Sequence, residues 1–77
     1  MSKCSLCDIS LGQRVIIEKI KTDFELKRRL LDIGFIKNTA VECVGISPLG
    51  DPKAFLVRGS VIALRSDDSK NITVTVP

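Results

Sequence analysis

The polar and apolar positions along the chain change period twice, from strand to helix and back to strand, and each change marks a boundary between elements. Between Gly12 and Lys21 the run Gln-Arg-Val-Ile-Ile-Glu-Lys-Ile is rich in β-branched residues and predicts a strand over about 13–20. The next stretch, Thr-Asp-Phe-Glu-Leu-Lys-Arg-Arg-Leu-Leu-Asp-Ile-Gly, switches to helical spacing. Leu26, Leu30 and Ile33 fall at i, i+4 and i+7, and Phe24 and Leu31 are also seven apart. This spacing predicts a helix from Asp23 to Ile33, expected to pack through Leu26, Leu30 and Leu31. Thr22 with Glu25 reads as a capping box, and Asp23 adds negative charge at the helix start. Gly34 supplies a left-handed stop.

Beyond the helix the pattern returns to short strands. Lys37-Asn38 is a turn in which asparagine tolerates positive φ. In the strand predicted from Thr39 to Ile46, Val41 and Cys43 share one face while Val44 and Ile46 share the other. A phase slip of that kind beside Gly45 predicts a bulge or a barrel corner. Strands over Lys53–Arg58 and Ser60–Leu64 are divided only by Gly59, which implies a tight turn. The polar break Ser-Asp-Asp-Ser-Lys-Asn precedes Ile-Thr-Val-Thr-Val, whose strict alternation turns Ile72, Val74 and Val76 inward. Together these elements predict an all-β fold with a short helical insertion, a small five-stranded antiparallel barrel. Only one face of each strand can enter such a barrel. Phe55 and Val57 on the inside leave Ala54 and Leu56 on the outside, to be covered by the helix or by a partner.

Composition narrows the function more than the fold. Seventy-seven residues allow one domain, and 44% apolar with 27% charged residues exclude a wholly disordered chain. Residues 1–10 read as a flexible lead carrying a C-x₂-C pair, and residues 11–77 as the folded domain. No apolar run is long enough to cross a bilayer, and the polar start lacks a secretory core, so the expected location is the cytoplasm without membrane insertion. There is no histidine to serve as a general base, and no Gly-rich phosphate loop. We therefore expect no catalysis and no cofactor. The net charge of +3 leans basic, but all three phenylalanines are expected in the core and there is no Trp or Tyr to stack on bases. A small-barrel nucleic-acid binder is the alternative reading this leaves.

Three groups of residues carry candidate chemistry. Cys4 and Cys7 form half of a metal site, and Cys43 supplies a third thiol; the competing reading is two incidental thiols on a tail and a core cysteine. Lys27-Arg28-Arg29 is the one basic run, either a solvated helix face or a contact for phosphates or an acidic partner. The third group is the loop Ser-Pro-Leu-Gly-Asp-Pro. Pro48 and Pro52 restrict its backbone, and Asp51 before Pro52 is biased to extended geometry. Leu49 at its tip either packs on the helix or joins Leu56 in an apolar docking patch.

The order of these signals resembles the FeoA family, small proteins that accompany the ferrous iron transporter FeoB. The resemblance rests on Leu-Gly-Gln-Arg-Val-Ile-Ile from Leu11, on the stretch from Arg28 to Glu42, on the loop from Ser47 to Pro52, and on Val57 to Val74. It differs at Asn38, where the family usually has glycine, and at Ser69, where alanine is usual. The C-x₂-C is not a general family feature. The resemblance implies an SH3-like barrel with a helix inserted after the first strand, similar also to the C-terminal domain of DtxR-type repressors. It further implies an accessory role exerted by protein–protein interaction on the cytoplasmic part of FeoB, which carries a GTP-binding domain.

Overall fold

Alternating β-branched residues and frequent turns produce a single antiparallel sheet that curls around one core. The computed structural model describes residues 2–77, so Met1 of the expected lead lies outside the described residues. In chain order the elements are β1 (Ser2–Ser5), a 3₁₀ turn (Leu6–Asp8), β2 (Arg14–Ile20), α1 (Phe24–Asp32), β3 (Ala40–Ile46), β4 (Lys53–Val57), β5 (Ser60–Leu64), α2 (Ser66–Ser69) and β6 (Ile72–Val76). The sheet order is β1-β6-β2-β3-β4-β5, every pair antiparallel.

The segment expected to be a flexible lead is instead a sixth strand followed by a plug in the core. Ser2 to Ser5 pair with Val76 to Thr73. Leu6 at the start of the 3₁₀ turn and Ile9, the extended residue that caps its end, are then fully buried. Burying each is worth about 1.5–3 kcal/mol relative to leaving it in water. Polar contacts hold the segment from both sides: the Lys53 ammonium donates to the carbonyls of Cys7 (2.8 Å) and Ile9 (2.9 Å), and the Ser5 hydroxyl to that of Lys70 (3.0 Å). The strand count is therefore six rather than five.

The core consists of those two residues with Val15, Ile17, Leu30, Phe35, Val41, Cys43, Phe55, Val57, Leu64, Ile72 and Val74. The phase slip in β3 is a real irregularity: the β3–β4 register shifts between Cys43 and Gly45, leaving Val44 as the extra residue. A second shift falls between Ile17 and Lys19 on β2. Gly34 (φ 90°) and Asn38 (φ 71°) both adopt the positive φ expected of them. The β4–β5 hairpin turns through Arg58 (φ 48°) and Gly59 (φ 83°), the two-residue turn whose twist suits a hairpin.

Helix α1 departs from expectation in two ways. Its cap is Asp23, whose carboxylate accepts from the Leu26 N–H at 3.0 Å, whereas the Thr22 hydroxyl only donates to the Asp23 carbonyl. The Thr22–Glu25 capping box is not formed, because the helix starts one residue later with Asp23 as its N-cap, leaving Thr22 before the cap and Glu25 at the second helical position. The helix also does not bury all its apolar residues. Leu30 is buried and Leu26 and Ile33 are half-buried against the core, but Leu31 is 46% and Phe24 77% exposed. At 3.6 residues per turn, Phe24 and Leu31 point roughly 150° away from the Leu26–Leu30–Ile33 stripe. So only two of the three phenylalanines are in the core.

Candidate docking surface

The outward stripe of α1 repeats the i, i+3, i+4, i+7 spacing that defines a helix face, with an unusual content. Phe24 and Leu31 stand at its ends, and Lys27 and Arg28 lie between them. These four line a shallow cavity of about 280 Å³. A second depression of about 310 Å³ adjoins it through Lys27 and Leu31 and reaches Ile36, Lys37 and the β2 residues Lys19 and Ile20. Ile36 is 38% exposed, and Lys19, Lys27, Arg28 and Lys37 are all exposed. No ion pair engages any of the four cations among the described residues. The result is an apolar strip framed by four cations, with one carboxylate, Glu18, in the second depression beside Lys37. Apolar contact can supply its affinity, while the cations favour a partner surface bearing carboxylates.

Of the basic run, then, Lys27 and Arg28 belong to this surface, and Arg29 lines neither depression. Sequence reasoning missed Phe24, Leu31 and Ile36 as surface residues. A helical wheel separates Phe24 and Leu31 from Leu26, Leu30 and Ile33, but heptad spacing alone reads all five as core.

The β3–β4 loop is built differently. Its backbone is closed by hydrogen bonds from Gly50 N–H to the Ser47 carbonyl (2.7 Å) and from Ser47 N–H to the Pro52 carbonyl (3.1 Å), and Asp51–Pro52 is a cis peptide. Asp51 faces the molecule itself. Its carboxylate accepts from the Ser66 N–H at 2.8 Å and the Ser66 hydroxyl at 3.3 Å, tying the loop to the start of α2. Pro48 is exposed, and Leu49 is 93% exposed rather than packed on the helix. Leu56 lies three residues beyond Lys53, about 10 Å of strand from the loop end of β4. It is half-buried and lines a separate cleft with Arg14, Glu42 and Arg58. The structure does not bring Leu49 and Leu56 into one patch.

The three thiols do not assemble either. Among the described residues no group of three or more Cys, Asp or Glu side chains is placed to hold a metal. Cys43 is buried on β3 with its sulfur 3.7 Å from the Gly45 carbonyl, while Cys4 is half-buried on β1. Burial, and then the neighbouring Asp8 carboxylate, push the Cys7 thiol up from its ordinary value, so it holds its proton more firmly than a free cysteine. Ser69, where the resembled family has alanine, is buried with its hydroxyl donating to the Arg65 carbonyl at 3.1 Å.

A six-stranded antiparallel sheet curled over one core, with a helix inserted after β2, defines an SH3-like barrel, here with an exposed apolar strip on the helix. The chain belongs to the FeoA family: the model of the FeoA domain matches residues 4–76. It is 35% identical over 72 residues to a Campylobacter jejuni subsp. jejuni protein described as Fe(2+) transport protein A, covering 94% of this chain and 97% of that one. It is 25% identical over 69 residues to a Porphyromonas gingivalis fusion of Fe(2+) transport protein A with the Fe(2+) transporter FeoB, covering 90% of this chain and 8% of the fusion. Among solved structures, Stenotrophomonas maltophilia FeoA, a prokaryotic SH3 domain protein complexed with zinc, superposes with a TM-score of 0.79 at 27% identity, covering 91% of this chain and 87% of that one. No helix among the described residues is long and apolar enough to cross a membrane.

Proposed function

We propose that this chain is an accessory protein of ferrous iron uptake that acts by binding the cytoplasmic part of the FeoB transporter, and that it docks through the outward face of α1. The observation that carries the reading is the Phe24–Leu31–Ile36 strip, left exposed on a small domain and framed by Lys27, Arg28 and Lys37. A phenylalanine held on a rigid helix loses little side-chain entropy when it enters a pocket, which makes Phe24 the natural anchor. The fused arrangement in the Porphyromonas gingivalis relative supports FeoB as the partner, since fusion keeps two domains at high effective concentration.

A pull-down against the cytoplasmic portion of FeoB, with and without guanine nucleotide, tests the reading. The parent chain is retained and Phe24→Ser is not, while Leu49→Ser behaves like the parent. Retention of Phe24→Ser would move the docking surface off the helix. Displacement of FeoB by single-stranded nucleic acid, with direct binding of that strand falling log-linearly with salt, would instead support the nucleic-acid alternative.

A further inference from the structure

We propose that the α1 face receives an amphipathic helix of its partner that carries carboxylates along one flank. The inference rests on the docking face proposed above and goes beyond it in naming the element that docks. The form of that element follows from what α1 offers. Its backbone is closed at both ends: the Leu26 N–H is taken by the Asp23 carboxylate, and the Leu30 and Leu31 carbonyls accept from the Phe35 and Gly34 N–H groups. Between those ends each N–H bonds within the helix. The face of α1 thus presents side chains only. An extended segment laid across it would bury backbone groups without partners, at a cost comparable to lost hydrogen bonds. A helix arrives with its own backbone satisfied and packs apolar residues at i, i+3, i+4 and i+7 against such a strip. The second depression, of about 310 Å³ and lined by α1 and β2 residues, gives the strip a concavity that a helix can fill.

Charge sets the character of that helix, and it is distributed unevenly about the strip. On the β2 side stand Lys19, Lys27 and Lys37, all exposed and in no ion pair among the described residues. The carboxylate beside them, Glu18, already accepts from the Thr75 hydroxyl at 2.9 Å and pairs with Lys3 at 3.4 Å. The other flank is different. Glu25 and Asp32 lie roughly 150° round the helix from Lys27, three residues before and four after Arg28, at spacings where their charge offsets the arginine. Carboxylates on the docking helix are therefore favoured on the β2 side alone. The same asymmetry fixes the direction in which the helix lies, because reversing it would exchange its flanks.

Two other occupants fit less well. A second copy, packed antiparallel about the middle of the strip, would set Lys27 of one copy against Arg28 of the other, and juxtaposed like charges repel. A flat anionic lipid surface would bring its charge against Glu25 and Asp32 and leave the depression unfilled.

The probe is the acetylated, amidated peptide Ala-Gln-Gln-Leu-Glu-Ala-Gln-Leu-Glu-Ala-Leu-Glu-Ala-Gln, whose leucines form one stripe with the glutamates along a single flank. Amide shifts of the whole chain read its binding. Shifts confined to α1, Lys19, Ile20, Ile36 and Lys37 are expected at roughly 1 mM peptide, with a gain of peptide helicity by circular dichroism. Replacing the three glutamates with glutamine should weaken binding about tenfold, as should Lys27→Glu combined with Lys37→Glu in the protein. Replacing the second alanine of the peptide with proline breaks its helix and should abolish binding. The pull-down against FeoB separates the two readings. Retention of FeoB by Phe24→Ser overturns the docking face and this inference with it. Loss of FeoB by Phe24→Ser, together with no peptide shifts at that concentration, overturns the helix alone. So does equal binding of the glutamine or the proline peptide. Shifts of the same α1 residues on adding phosphatidylserine vesicles, or self-association through α1, would also overturn it.

Discussion

Helix α1 presents two apolar stripes that look alike in sequence and are opposite in consequence. Leu26, Leu30 and Ile33 face the core, and Leu30 is wholly buried; Phe24 and Leu31 face outward with Lys27 and Arg28 between them. The inward stripe stabilises the fold by removing apolar surface from water. The outward stripe contributes almost nothing to folding, because its side chains remain solvated in the native state. Residue type alone does not separate a core leucine from a docking leucine; the direction in which the helix presents it does.

The contrast is broken most severely on the inward side. Leu30→Ala should destabilise the domain by about 2–4 kcal/mol through lost burial and an unfilled cavity. Thermal or urea unfolding reads this directly, and a loss below about 1 kcal/mol would mean that α1 contributes little to the core. The next largest effect is at the helix stop. Gly34→Ala places a Cβ where φ is 90° and sets it 2.5 Å from Cδ of Arg58. The arginine can move aside but the backbone cannot, so a loss of about 1 kcal/mol is expected from the conformation alone. An unchanged midpoint would show that the turn relaxes to another geometry.

The smallest effect lies at Glu18 on β2, which borders the second depression. The Thr75 hydroxyl donates to Glu18 at 2.9 Å and the Lys3 ammonium lies 3.4 Å away; together they lower the Glu18 pKa below its ordinary 4.5. A carboxylate whose folded-state pKa is depressed stabilises the fold above its unfolded value and loses that contribution as pH falls through the folded value. The β1–β6–β2 region should therefore weaken slightly only below about pH 4.5. Thr75→Val should flatten that part of the stability profile, while Phe24→Ser, at a residue that does not share Glu18's depression, should leave it unchanged.

The parts of the fold legible in sequence are those where local chemistry and final structure agree. The Val44–Gly45 phase slip became a register shift, Gly34 and Asn38 took positive φ, and Ile72 and Val74 entered the core. The N-terminal strand was hidden because Ser-Lys-Cys-Ser has no strand pattern of its own. It is ordered by the buried Leu6 and Ile9 just beyond it, and by Lys53, a residue 44 positions or more away in sequence from the carbonyls it holds. For the candidate site, Lys27 and Arg28 could be named from sequence as a basic face, whereas heptad spacing merges Phe24 and Leu31 with the core stripe that a helical wheel sets roughly 150° away. Leu49 illustrates the reverse: its loop is rigid as expected, yet the rigidity serves the Asp51–Ser66 contact and leaves Leu49 isolated.

The outward stripe itself is tested most directly by calorimetric titration of the cytoplasmic portion of FeoB with the parent chain, Phe24→Ser, Leu31→Ser and Leu49→Ser, each with its unfolding midpoint. The account predicts midpoints close to the parent for all three variants. Phe24→Ser should weaken binding by about 2 kcal/mol, roughly thirtyfold, Leu31→Ser by about 1 kcal/mol, and Leu49→Ser not at all. Parent-like affinity in Phe24→Ser and Leu31→Ser, with the loss appearing in Leu49→Ser, would contradict it and return the docking surface to the β3–β4 loop.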